Sequence, residues 1–340
     1  MKPKLSLQNP TMDENLDCKM ESPTPLVIDT HNLSKTYKGV EALKDLNLKV
    51  HQHSIFGFLG PNGAGKTTTI KLLLGLARPT GGSAIVFGHD IQKDSVNIRR
   101  KVGYLAQDPR YYESMTARET LRFTARFFFT GPKAGIEERI QETLQLVGLE
   151  DKADRSIKGF SGGEMQRLGI GQAQINYPDL LILDEPAASL DPQGRRDVLE
   201  VMERLRKYST IFYSTHILED VQRVSDTVAI MNHGELAAQA PIEELLRGSG
   251  ETTYQVRVKG CSAQVRDVVR AQPWVSSLTE AAVNGYISWS ICVTDEAAAE
   301  NNLVRLVLSE PGTTVLEFER QKYNLEDIFL KIVEGGNNGK

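Results

Sequence analysis

An apolar run, a glycine-rich loop and a helical repeat follow one another between Ser54 and Leu76, and no other stretch limits the possible folds so tightly. The run is SIFGFLG, the loop is Gly60-Pro-Asn-Gly-Ala-Gly-Lys-Thr67, and the repeat is TTTIKLLLGL. Gly60, Gly63 and Gly65 let the backbone curl until its N–H groups converge, and the following helix adds the positive end of its dipole. Asn62 sits inside the curl. Lys66 brings a mobile cation, and Thr67, followed by Thr68, brings a hydroxyl for a metal ion. The strand–loop–helix order predicts a bound nucleotide.

A second apolar run, Leu180-Leu-Ile-Leu-Asp184, predicts a strand buried on both faces. Asp184 ends it, where a carboxylate can hold a metal through water. Glu185 follows, placed to polarise a water and accept its proton. Between loop and strand lies Phe160-Ser-Gly-Gly-Glu-Met-Gln-Arg-Leu168, whose Ser-Gly-Gly tract suggests a second nucleotide-contacting surface. Val102-Gly-Tyr-Leu-Ala-Gln107 is expected to be a strand ending in Gln107, and FYSTH one ending in His216. At such an end Gln107 can touch a metal or an attacking water, and His216 a phosphate. TVAIMNHGEL is expected to be a further strand, and Asp191 and Pro192 open the helix PQGRRDVLEVMERLRKY. Strand–helix alternation predicts an α/β fold with a mostly parallel core, and residues 108–165 read as a mainly helical insert.

The remaining bounds are broad. A chain of 340 residues has room for two domains or three. Its net charge of −4 gives no general attraction to nucleic acid. The three cysteines, Cys18, Cys261 and Cys292, are too scattered for a metal cluster and odd in number for a disulfide framework. No run reaches the roughly 18–20 apolar residues that span a bilayer. Residues 1–25 are polar and Pro-rich and read as a disordered leader, and 246–251 as a linker. Residues 252–335 read as a small α+β ferredoxin-like domain in βαββαβ order, with an added helix over 324–333. It has no clustered histidines, cysteines or carboxylates, so packing or regulation is expected of it rather than chemistry.

Residues 26–245 resemble the ATP-binding subunit of ATP-binding cassette (ABC) transporters, nearest to those serving ABC-2 type export permeases. The matching motifs are GPNGAGKT, Gln107, SGGEMQRL, LLILDEP, Asp191 in SLDP, and His216 in STH. The resemblance implies a P-loop NTPase cassette that binds ATP and Mg²⁺ and hydrolyses ATP. It implies metal contacts from Thr67, Gln107 and Asp184, with Glu185 as general base and His216, Gln107 and Lys66 assisting. It implies a head-to-tail dimer, with a second copy or a related cassette, in which Ser161, Gly162 and Gly163 of one chain close over ATP on the phosphate loop of the other. Asp191 would cross that interface, and Tyr37 would stack on adenine. It implies a separate membrane permease docked beside Gln107, near Tyr111, Tyr112 and Met115, and a place on the cytoplasmic face of the membrane, with no nucleic-acid partner. An importer or a non-transport ATPase is the alternative. The chain departs from the family pattern at Phe160, where Leu is common, at Glu164, where Gln is common, and at Ala187, Ala188 and Ser189.

Overall fold

The computed structural model describes residues 25–247, 252–260, 263–283, 286–321, 325–326 and 329. The leader, most of the linker, Cys18, Cys261 and most of the expected last helix lie outside the described residues.

The centre is a six-stranded sheet. Its strands are β4 (Ile55–Leu59), β7 (Val102–Leu105), β8 (Leu180–Asp184), β9 (Thr210–Thr215), β10 (Thr227–Asn232) and β11 (Glu235–Pro241), in the order β11-β10-β4-β9-β8-β7. All neighbours are parallel except the β10–β11 hairpin. TVAIMNHGEL is therefore not one strand: it turns at His233 and Gly234, both at positive φ, and enters β11.

Every residue of β4, β8 and β9 is buried. Side chains alternate between the faces. Ile55, Leu59, Leu181, Leu183, Ile211 and Tyr213 enter one apolar cluster, while Phe56, Phe58, Leu180, Ile182 and Phe212 enter the other. The runs are continuously apolar because both faces are covered.

One cover is an antiparallel sheet of β1 (Leu26–Tyr37), β2 (Val40–Leu46), β3 (Lys49–His51), β5 (Gly81–Val86) and β6 (His89–Asp90). Between the sheets run α1 (Lys66–Leu73) and α2 (Ser95–Lys101), whose Ile70, Leu73 and Ile98 join the second cluster. The other face carries α3 (Ala117–Ala125), α4 (Lys133–Leu146), α5 (Gly162–Gln174), α6 (Pro192–Leu205) and α7 (Leu218–Val224), followed by the short α8 (Ile242–Arg247). Arg122 forks onto Glu137 at 2.5 and 2.7 Å, tying α3 to α4. The buried Arg139 donates to the carbonyls of Gln174 and Ile175, where α5 ends.

The C-terminal module is β12 (Thr252–Lys259), α9 (Ala263–Arg270), β13 (Val275–Val283), β14 (Tyr286–Val293), α10 (Glu296–Val307) and β15 (Thr314–Gln321). Its sheet is antiparallel, in the order β13-β14-β12-β15. Trp289 is 1% exposed at its centre, and its indole N–H donates to Glu280. Trp289→Ala is expected to cost the module about 3–5 kcal/mol. A separate, lower thermal transition for this module in calorimetry would report the loss, with the cassette transition in place. Beyond β15, Leu325 is fully buried in the cassette's first cluster and Phe329 packs against it.

Candidate functional site

Parallel strands deliver their ends to one edge of the sheet, and the sequence places its polar residues there. After β4 comes the loop 60–65, at the end of β8 Asp184 and then Glu185, after β9 His216, and after β7 Gln107. Gln107 is two residues past the end of β7, in an exposed loop rather than in the strand itself.

The loop's glycines are forced by contact and conformation. A Cβ on Gly60 would lie 2.6 Å from the Met231 carbonyl oxygen, and one on Gly65 2.6 Å from that of Ala42. Gly65 also has φ +103 as it caps α1. Lys66 is 6% exposed, and its ammonium donates to the Gly60 and Pro61 carbonyls at 2.6 and 3.1 Å. It lies 3.1 Å from Glu185 Oε1. The other Glu185 oxygen is 2.8 Å from His216 Nδ1. Glu185 thus links a lysine and a histidine while only 4% exposed. Its own backbone sits at φ 50, unusual for a side-chain-bearing residue, and its N–H is held by Ser214.

Asp184 is 1% exposed; Oδ1 accepts from the Ser214 hydroxyl at 2.5 Å, and Oδ2 has no hydrogen-bond partner. An orphaned buried carboxylate oxygen is costly unless something cationic meets it. Asn62, Gly63, Gly65, Lys66, Thr67, Thr68, Gln107 and Glu185 share one cleft with Ala42. Thr67 and Gln107 line this cleft, while Asp184 ends β8 outside its lining with one buried oxygen unpartnered; all three carry the oxygen donors that Mg²⁺ takes. Ser214 was not singled out from the sequence. Its signal is a hydroxyl near the end of a fully buried strand, in register with Asp184.

The Ser-Gly-Gly tract begins α5. Ser161 Oγ accepts from Glu164 N at 3.2 Å, and the Glu164 carboxylate accepts from Ser161 N at 2.8 Å, completing a capping box. Burial pushes the Glu164 carboxyl up, but hydrogen bonds from Lys152 and Ser161 outweigh it and hold it below its ordinary range. Gly163 permits close packing on α6: a Cβ there would lie 2.9 Å from Gly194 Cα. Asp191 caps α6, accepting from Gly194 N at 2.8 Å.

Gly162 lines a second cleft with Met165, Gln166, Ala188, Ser189 and Leu190. Only Gln107 lines both clefts. The signature, meaning the Ser-Gly-Gly tract, thus lines through Gly162 a different cleft from the one that the phosphate loop lines. Tyr37 is absent from the lining of either cleft. It is 42% exposed, with the Lys35 ammonium 4.7 Å from its ring centre.

Of the three residues expected in an apolar contact after Gln107, two belong to the local core. Tyr111 donates to the Met165 carbonyl at 2.9 Å and packs on the first cluster, as does Met115. Tyr112 is 67% exposed. It meets Phe123 edge to face, and Phe123 meets Phe127 likewise.

A parallel sheet that gathers a lysine, two carboxylates and a histidine beside a phosphate loop has the architecture of a P-loop ATPase. The ABC transporter family model matches residues 43–188. The chain is 36% identical over 307 residues to the uncharacterized ABC transporter ATP-binding protein YxlF of Bacillus subtilis, covering 90% of this chain and 99% of that protein. It is 35% identical to the bacitracin transport ATP-binding protein BcrA of Bacillus licheniformis, covering 92% and 99% respectively. Its fold is similar to that of the ATP-binding cassette MJ0796 in a dimeric, post-hydrolysis state bound to ADP and Pi. That likeness has a TM-score of 0.58 at 24% identity, over 63% of this chain and 98% of the other. The chain belongs to the ABC transporter family of ATP-binding proteins. It is an ATPase, the nucleotide-hydrolysing cassette of a transporter.

Proposed function

We propose that the chain drives an ABC-2 type exporter, working as a cassette dimer beneath a separate permease on the cytoplasmic face of the membrane. Gly60, Asn62, Gly63, Gly65, Lys66, Thr67 and Thr68 hold the phosphates of ATP, and Tyr37 stacks on adenine. Glu185 takes the proton of the attacking water, and His216 orients the carboxylate. Lys66 draws charge off the γ-phosphate. Thr67, Gln107 and Asp184 hold Mg²⁺, which would neutralise charge on the phosphate oxygens. Ser161, Gly162 and Gly163 of one chain close over ATP on the other, with Asp191 crossing the interface. Residues 26–245 form the cassette and 252–335 an accessory domain.

Among the described residues no helix is long and apolar enough to cross a membrane, which supports a translocation path in another polypeptide. The similarity to the bacitracin transport ATP-binding protein BcrA supports an antibiotic as the class of cargo.

The observation that carries the coupling to a permease is the exposed aromatic ladder of Tyr112, Phe123 and Phe127, just beyond Gln107. Phe127 is 71% exposed, and such a patch marks an interaction surface. Phe123→Ser with Phe127→Ser is expected to abolish co-purification with the membrane subunit. ATP hydrolysis by the isolated chain should persist at its usual rate. Unimpaired co-purification would remove the ladder from the docking surface.

A further inference from the structure

Glu164 creates an electrostatic conflict at the start of α5. A carboxylate in the first turn of a helix favours that helix, because it meets the positive end of the dipole. The same charge weakens that end for any other anion. On the reading given above, the anion is the γ-phosphate of ATP bound to a second copy. The capping box uses the N–H groups of Ser161 and Glu164 and leaves those of Gly162 and Gly163 for a ligand. A carboxylate only 6% exposed sits beside them.

Lys152 resolves the conflict. It ends the short 3-10 turn Glu150–Lys152, and its backbone N–H is bonded to the Leu149 carbonyl at 3.1 Å. From there its ammonium pairs with Glu164 Oε1, while Oε2 is taken by Ser161 N. The neighbouring cations are engaged elsewhere. Arg155 donates to the Gly159 carbonyl at 2.6 Å, and Arg167 to those of Val147 and Gly148. Arg155 contributes to Glu164 only through space.

We propose that Lys152 is a positioning residue of the composite ATP site: it neutralises Glu164, so the start of α5 stays positive enough to close over the γ-phosphate held by a second copy. The proposal rests on Ser161 meeting ATP in trans. It explains how a chain with glutamate at this position keeps an anion-accepting helix end.

The test is a double-substitution cycle in the full chain carrying Glu185→Gln, which is expected to hold ATP while turning it over only slowly. Light scattering gives the ATP concentration at which half the chains are dimeric. Lys152→Met is expected to raise that concentration about tenfold. Lys152→Arg should restore it. Binding of a fluorescent ATP analogue to the monomer should be unmoved, because the phosphate loop lies in the other cleft. With Glu164→Gln already present, Lys152→Met should cause no further rise. An equal rise in both backgrounds would mean that Lys152 only supports the turn, and would overturn the proposal, as would no rise in either. Ser161→Arg separates the two levels. If no ATP-driven dimer forms, or if that substitution leaves it intact, the trans reading itself fails and the proposal falls with it.

Discussion

Glu185→Gln is expected to slow ATP turnover by about 10²–10⁴-fold while leaving nucleotide binding in place. Glutamine keeps the shape of the side chain and a hydrogen bond toward His216, but cannot accept a proton. The geometry makes the loss specific. Glu185 lies between Lys66, at 3.1 Å, and His216, at 2.8 Å, and its backbone N–H is anchored on Ser214. It is therefore fixed before substrate arrives, as the proposed role of general base requires. Steady-state phosphate release measures the first effect, and scattering in the presence of ATP measures the accumulated dimer. Turnover near the wild-type rate would remove Glu185 from the role of base.

Lys66→Ala is expected to weaken ATP binding by about tenfold to a hundredfold, the range for losing a charge-assisted hydrogen bond. The effect has two sources. The phosphates lose their cation, and the buried Glu185 carboxylate loses one of its two partners. Calorimetric titration with ATP reads the affinity, and thermal unfolding reads the cost to the apoprotein. Ser161→Arg is expected to spare ATP affinity in the monomer and to abolish turnover. It places a bulky side chain at an exposed helix start outside the phosphate-loop cleft. The two variants thus fail for different reasons, one for want of a phosphate anchor and one for want of a lid.

Much of this edge of the sheet was legible in the sequence, because it depends on local order. A continuous apolar run becomes a buried strand, and the residue after it must emerge at the strand's end. That logic placed Lys66, Asp184 and Glu185 correctly relative to the sheet, and missed by one residue at His216, which lies just past the end of β9 rather than in it. It slipped where a boundary depends on pairing partners. Residues 102–107 leave the sheet after Leu105 because β8 pairs with β7 only through Leu183, so Gln107 belongs to the loop. TVAIMNHGEL breaks at His233–Gly234 because the chain folds back on itself. The partners of polar side chains were less legible still. Ser214 reaches Asp184 across a strand pair, and Lys152 reaches Glu164 from a separate turn. Tyr111 and Tyr112 are adjacent, yet one enters the core and the other faces solvent. Sequence order does not encode such choices, because they are made by packing between distant elements.

The central claim is that one chain supplies Lys66, Asp184 and Glu185 while a second supplies Ser161. Mixing tests it most directly. Lys66→Ala chains and Ser161→Arg chains are each expected to be inactive alone. A mixed dimer pairs an intact phosphate loop from the second with an intact signature from the first, restoring one of its two sites. With random pairing in equal amounts, phosphate release should recover to roughly a quarter of the wild-type rate. A mixture as inactive as its components, under conditions where mixed dimers are shown to form, would contradict the account.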